Sequence, residues 1–307
     1  MKKVLSISLG SSARDHKVHT KILGEEFIIE RRGTDGDKEK AYKLFTELDG
    51  QYDAFGMGGI DLYIYSGGKR YTFRDAKKLI KNVKNTPTVD GSGLKNTLER
   101  MVINYLDNNL KINLASKKVL MVSAVDRFGM AESFAERCGE IIYGDLIFAL
   151  GLPLKLKSLK TLNRAARMIA PIITKLPFEW VYPTGDKQEK NNAKSKYYRF
   201  YDEADIIAGD YHFIKKYMPL RLDEKIIVTN TVTSDNVKEM QTRGVKMIIT
   251  TTPELNGRSF GTNVMEGVLV ALSDKDFDEL SVNDYKRLLN KMNFVPRVIT
   301  FDKKVAS

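Results

Sequence analysis

Cysteine occurs once in the 307 residues, at Cys138, and histidine only three times. An internal disulfide is therefore excluded, and no Cys/His cluster is available for a structural zinc site. Long apolar runs are also missing. The longest, over 141–156, is broken by Asp145, Pro153 and Lys155, which excludes a membrane span there. The opening MKKVLSISLGSS carries too little apolar length for a secretory signal and reads as a strand. Repeats of fixed period and low-complexity tracts are lacking; the nearest to a biased stretch is the Lys- and Asn-rich 186–199. Hydrophobic residues at 42% and charged residues at 29% exclude wholesale disorder. A soluble, cytoplasmic chain of two domains is the expectation at this length.

The formal charge of +11 is spread along the chain, with a net of +5 over residues 1–112 and +6 over the rest. Nucleic-acid binders concentrate their charge on one face or arm. Diffuse positive charge suits small anionic ligands instead. Neither nucleic acid nor membrane is expected as a partner; a small anionic metabolite is, and a homo-oligomer is allowed.

From about residue 117, short β-branched runs alternate with segments of helical period. Strands are predicted over 118–124, 140–147, 179–182, 205–208, 225–229 and 246–251, and helices over 130–138, 158–175, 213–218 and 234–243. Pro171 should kink or split the second helix. This alternation predicts an α/β fold, a Rossmann-like doubly wound parallel sheet. Before it, a smaller α/β domain is predicted, not in Rossmann order, with strands over 3–9, 17–23, 26–31, 52–65 and 69–73. Its helices fall over 37–48, 74–83 and 94–106, and Gly67-Gly68 is its hairpin turn. Helices over 262–272 and 282–292 and a strand over 296–301 follow. The expected domains are 1–112 for substrate, 113–272 for nucleotide, and 273–307 packing back on the first.

The glycine fingerprint of a dinucleotide-binding turn is absent. The first βα junction reads SAVDRFGMAES, with Gly129 alone and Arg127 as a source of phosphate charge. Asp145 lies 21 positions after Ala124, about where an acid meets the adenosine ribose, although a helix cap explains it equally. An acid there favours NAD over NADP. Loops after the later strands (AGDYH, TNTVTSD, TTTPELNGRSFGTN) supply neutral polar groups, so Asn230, Thr231 and Thr251 join Arg127, Gly129 and Asp145 as cofactor candidates.

For chemistry, His212 can exchange a proton near neutral pH, with Asp210 nearby to orient it. TVDGSGLKNTLER offers Asp90 and Lys95 as an acid/base pair beside a glycine-bearing anion cradle, or a plain turn with a solvated lysine. Ser92, Asn263 and Arg258, the last as a carboxylate clamp, are the substrate candidates. No metal ligands are expected. LGSS, after the first strand, resembles the phosphate-binding turns of acetate-kinase-like proteins.

GTDGD, GGIDLY, VDGSGLKNTLER, YGDLIFALGLP and TTTPELNGRSFGTNVMEG carry a broader resemblance. Over nearly its whole length the chain resembles bacterial proteins labelled quinate 5-dehydrogenase. That resemblance implies nicotinamide-dependent oxidation of a quinate hydroxyl, with an N-terminal substrate domain before a Rossmann cofactor domain. Ser6 and Ser8 match only the bare Ser-x-Ser spacing of the shikimate/quinate dehydrogenases, no N-V-T-x-P segment precedes Lys95, and SAVDRFG is not their glycine turn. No catalytic residue is carried over. The leading expectation is an NAD(P)-dependent oxidoreductase of a small hydroxy acid. The alternatives are a non-redox Rossmann-fold nucleotide-binding protein and an enzyme of a phosphorylated metabolite.

Overall fold

The computed structural model describes residues 1–66, 69–148, 151–175, 195–252, 254–255, 258–259 and 261–301. The chain forms two compact units from interleaved segments. The first comprises Met1–Thr97, Met168–Gln188 and Gly261–Phe294; the second comprises Leu98–Arg167, Glu189–Phe260 and Val295–Ser307.

In the first unit, β1 (Lys2–Ser8), β2 (His16–Ile22), β3 (Glu25–Gly33), β4 (Ala54–Gly58) and β7 (Thr88–Val89) form a sheet of order β2-β3-β1-β4-β7. The pairs β1/β3, β1/β4 and β4/β7 are parallel, and only the edge strand β2 runs antiparallel. Val4, Leu5 and Ile7 are buried, as a strand covered on both faces requires. Helix α1 (Lys38–Glu47) crosses from β3 to β4, and the Asp37 carboxylate caps it by accepting from Lys40 N at 2.9 Å. This sheet is itself doubly wound about β1 and, as expected, its order β3-β1-β4-β7 is not that of a Rossmann sheet. Two antiparallel hairpins hid the alternation: β2/β3, and β5 (Tyr63–Ser66) with β6 (Lys69–Thr72). Gly67-Gly68 lies outside the described residues.

The second unit holds β8 (Lys118–Met121), β9 (Glu140–Tyr143), β10 (Ile206–Ala208), β11 (Ile226–Thr229), β12 (Met247–Thr250) and β15 (Arg297–Thr300), in the order β15-β12-β11-β10-β8-β9. Five strands are parallel, giving the predicted Rossmann-like sheet. Among the described residues the sixth is β15, antiparallel to β12; the predicted strand 179–182 lies outside the described residues. The terminal strand was expected to return to the first domain; pairing with β12 places it in the second unit. The helix Thr262–Leu272, predicted to close the nucleotide domain, belongs instead to the first unit, where Gly267 lets it lie close to Val4 of β1.

The division between units falls inside α3 (Ser92–Asn108), earlier than the expected boundary at 112. Residue 171 does not split α6, which runs over Leu159–Ile173. Among the described residues no helix is long and apolar enough to cross a membrane.

Candidate functional site

The connection from β8 leads to β9 on one side, and that from β10 leads to β11 on the other. A sheet wound in both directions opens its crevice at this reversal, outside the carboxyl ends of β8 and β10. Asp210, after β10, is the hub. Its Oδ1 accepts from His212 N at 2.9 Å, capping the helix Tyr211–Tyr217. Its Oδ2 accepts from Asn230 Nδ2 at 2.8 Å and from Arg127 Nη2 at 3.2 Å. Its backbone N–H donates to Ser123 Oγ, after β8.

Arg127 is nearly closed off from solvent. Its Nη1 donates to Glu99 Oε1 at 3.0 Å, and Glu99 Oε2 accepts from Met130 N at 3.1 Å. Asp126 lies 4.0 Å from its Nε. One guanidinium among three carboxylates leaves this cluster formally anionic. Arg127 was expected to meet a cofactor phosphate; it is committed to Glu99 and Asp210 instead. Asp210 keeps 19% of its side chain exposed, and Asn230, Thr231 and His212 are half-buried at the ends of β10 and β11.

Asp145 begins the short helix Asp145–Phe148, in keeping with the capping alternative, and does not end a strand. Its Oδ1 accepts from both Ala124 N and Val125 N at 2.9 Å. These are amides of the β8 turn, the groups a pyrophosphate would use. The buried carboxylate thus serves as the turn's own anion. Burial pushes its pKa up to about 6, against the two N–H bonds that lower it. Gly129 is buried in the first turn of α4 (Phe128–Ala135), and Thr251 is buried with its N–H on Thr229 O. Thr231 Oγ1 shares a hydrogen bond with Thr252 Oγ1 at 3.3 Å.

The first unit gathers a separate group. Asp90 accepts from Leu62 N, Tyr63 N and Ser92 N at 2.7–2.9 Å, so its carboxylate ties the Leu62–Tyr63 segment to the start of α3. The sequence suggests it as one half of an acid/base pair with Lys95; its described hydrogen bonds run to these amides. Lys95 is half-buried in the first turn of α3, its N–H on Gly91 O. Glu266, which the sequence reading passed over, is buried with Oε2 accepting from Gly91 N at 2.7 Å and Oε1 from Tyr285 Oη at 3.0 Å. A Cβ on Gly93 would collide with this carboxylate, so the second residue of α3 must be glycine. Burial, then the neighbouring Asp90 charge, push Glu266 up to about 8. Asn263 Nδ2 donates to Ser6 Oγ at 2.8 Å. Arg258 lies in β14 (Arg258–Ser259), and its side chain is outside the described residues.

Glu99 and Glu266 carried a legible signal. Each is a lone acid within a helical stripe of apolar residues (Leu94, Leu98, Val102; Met265, Val268, Leu269), and a buried charge must find partners.

The two sheets and the polar strand ends define an α/β protein of Rossmann-like architecture. The chain belongs to the family described as Domain of unknown function (DUF8754), whose model matches residues 93–301. A second model, Domain of unknown function (DUF8753), matches residues 3–90. Their junction falls at the start of α3, close to the division between the compact units. No curated protein matches the sequence. Among solved structures, the chain is distantly similar to a galactofuranose binding protein, at 11% identity and a TM-score of 0.37, covering 95% of this chain and 99% of that one. It is similar to the periplasmic binding protein component of the arabinose ABC transporter from Shewanella sp. ANA-3, at 8% identity and a TM-score of 0.37, covering 95% and 97%. An NAD-dependent malic enzyme from Thermotoga maritima matches at 10% identity and a TM-score of 0.36, covering 95% and 84%.

Proposed function

We propose that the protein recognises a small, neutral, hydroxyl-bearing metabolite at the carboxyl ends of β8, β10 and β11. The observation that carries this reading is the partly exposed Asp210, fixed by Arg127, Asn230 and Ser123 at the reversal of the sheet. A polyol hydroxyl can donate to the partly exposed carboxylate of Asp210, and its neighbours can meet the neutral polar groups at the same strand ends. The formally anionic cluster repels a second carboxylate. That turns the expected anionic ligand away from this site.

Oxidation of quinate or a similar cyclic hydroxy acid with NAD or NADP is the narrower reading. It requires a pyrophosphate at the β8 turn, where Asp145 already holds two amides. The test is calorimetric titration with neutral sugars and inositols, with quinate and shikimate alongside, each with and without NADH. Binding of a neutral polyol that weakens about tenfold in Asp210→Asn supports the proposal, the loss expected for a hydrogen bond to a charged group. Binding confined to quinate or shikimate in the presence of NADH would overturn it in favour of the dehydrogenase.

A further inference from the structure

The segment after β1 reads Leu9-Gly10-Ser11-Ser12-Ala13-Arg14. In the first sheet the chain leaves β1 toward β3 and leaves β4 toward β7, so this loop stands at that sheet's own reversal. The two exit loops touch: a Cβ on Gly59 would lie 2.9 Å from Gly10 N. Ser12–Arg14 forms a single 3-10 turn capped by Ser11, whose hydroxyl accepts from Ala13 N.

Two guanidiniums converge on this loop. Arg31, from β3, has 13% of its side chain exposed, and Arg14 is exposed on the turn. A Cβ on Gly10 would lie 2.9 Å from Arg14 Nη2, 3.1 Å from Arg31 Nη2 and 3.3 Å from Ser8 Oγ. Both cationic tips and the hydroxyl therefore face the same side of Gly10, and any larger residue there would push them apart. Among the described residues both hydrogen bonds of the Arg31 guanidinium run from Nη1, to Asp15 Oδ1 at 2.7 Å and Ser11 O at 3.0 Å. Nη2 is the edge turned toward Gly10. Ser8 Oγ accepts from Gly10 N at 3.1 Å and keeps its own hydrogen as a donor.

Like charges held this close repel one another. Burial and the Arg14 charge lower the pKa of Arg31, and Asp15 and Asp35 only partly offset them. Asp15 also accepts from Gly33 N, and Asp35 accepts from Ser12 N. Both acids are thus engaged with backbone amides of the loop as well. An anion held between the two guanidiniums would oppose this repulsion.

We propose that the loop over Gly10 binds the phosphoryl group of a small phosphorylated metabolite between Arg14, Arg31 and the Ser8 hydroxyl. Three donors on one side match three phosphoryl oxygens, whereas a carboxylate offers two. The site belongs to the first unit and is independent of the polyol reading of the second.

Inorganic phosphate is the probe, titrated into the full chain at constant ionic strength and followed by calorimetry and by amide shifts of residues 8–14. Phosphate should bind, sulfate should compete, and acetate should be weaker than either. Arg14→Gln and Gly10→Ala should each weaken phosphate about tenfold or more, the first by removing a charge-assisted bond and the second by parting the guanidiniums with charge unchanged. Arg14 is exposed on its turn, so Arg14→Gln keeps the assay interpretable if Gly10→Ala fails to fold. Acetate binding as tightly as phosphate, phosphate binding unchanged in Arg14→Gln, or no phosphate binding by the wild type would overturn the proposal.

Discussion

Arg127 donates to Glu99 at 3.0 Å with only 4% and 1% of their side chains exposed, which makes them one of the most enclosed ion pairs among the described residues. Taking two charges from water is costly, and Asp210 on Arg127 Nη2 and the Met130 amide on Glu99 Oε2 offset part of that cost. Removing Arg127 leaves Glu99, Asp126 and Asp210 without the cation they share. Arg127→Ala should therefore lower the unfolding free energy by about 3–5 kcal/mol in urea titration. A loss below about 1 kcal/mol, the range of an exposed pair, would show that the enclosure is not maintained in solution.

Glu266 gives the protein a pH-dependent stability of definite sign. Its pKa is raised from an ordinary carboxyl value to about 8 in the folded state, so the folded protein holds a proton that the unfolded chain has released. Its contribution is fully present below about pH 4.5 and is lost as pH rises toward about 8. Glu266→Gln keeps the neutral form at every pH. Melting curves at pH 5 and pH 8 should show the wild type losing about 5 °C more than Glu266→Gln across that interval. Parallel losses in the two proteins would contradict the assignment.

Asp90 holds the Leu62–Tyr63 loop and the start of α3 through three backbone amides. Asp90→Ala leaves these donors without their acceptor and should destabilise the protein by about 1–3 kcal/mol. Hydrogen exchange at Leu62, Tyr63 and Ser92 should accelerate selectively. Unchanged exchange there, with a uniform effect elsewhere, would remove Asp90 from this role.

Asp145 predicts the outcome of a cofactor titration. Because its carboxylate occupies the Ala124 and Val125 amides, NADH and NADPH should produce no saturable fluorescence change with the wild type up to millimolar concentration. Saturable binding by either would restore the dinucleotide reading and place its pyrophosphate elsewhere than this turn.

Much of the second sheet was legible because its strands are covered on both faces. Runs such as Val119–Leu120–Met121 and Ile226–Ile227–Val228 have few alternatives to a buried parallel strand, given helical periods between them. The first sheet was legible as strands and not as an order, since hairpin insertions interrupt its βαβ rhythm. The segment 296–301 reads as a strand by composition, but its partner β12 is set by long-range pairing that no local pattern encodes. The same limit applied to the site. Polar residues at strand ends could be named, but Arg127 and Asp145 were read as ligand groups because a sequence does not show which internal partner reaches a charge first.

The sequence by itself determined two α/β units, a helix starting near residue 37 and the strand ends where polar groups collect. Local periodicity and backbone chemistry govern each of these, and both are written in neighbouring residues. Only the tertiary structure decided what those groups do. It set Glu99 against Arg127, gave Asp145 to the β8 turn, buried Glu266 beneath Gly93, and brought Arg14 and Arg31 to one side of Gly10. Burial removes water as a competing partner, so the nearest opposite charge or amide in space, however distant in sequence, fixes the role of each buried group.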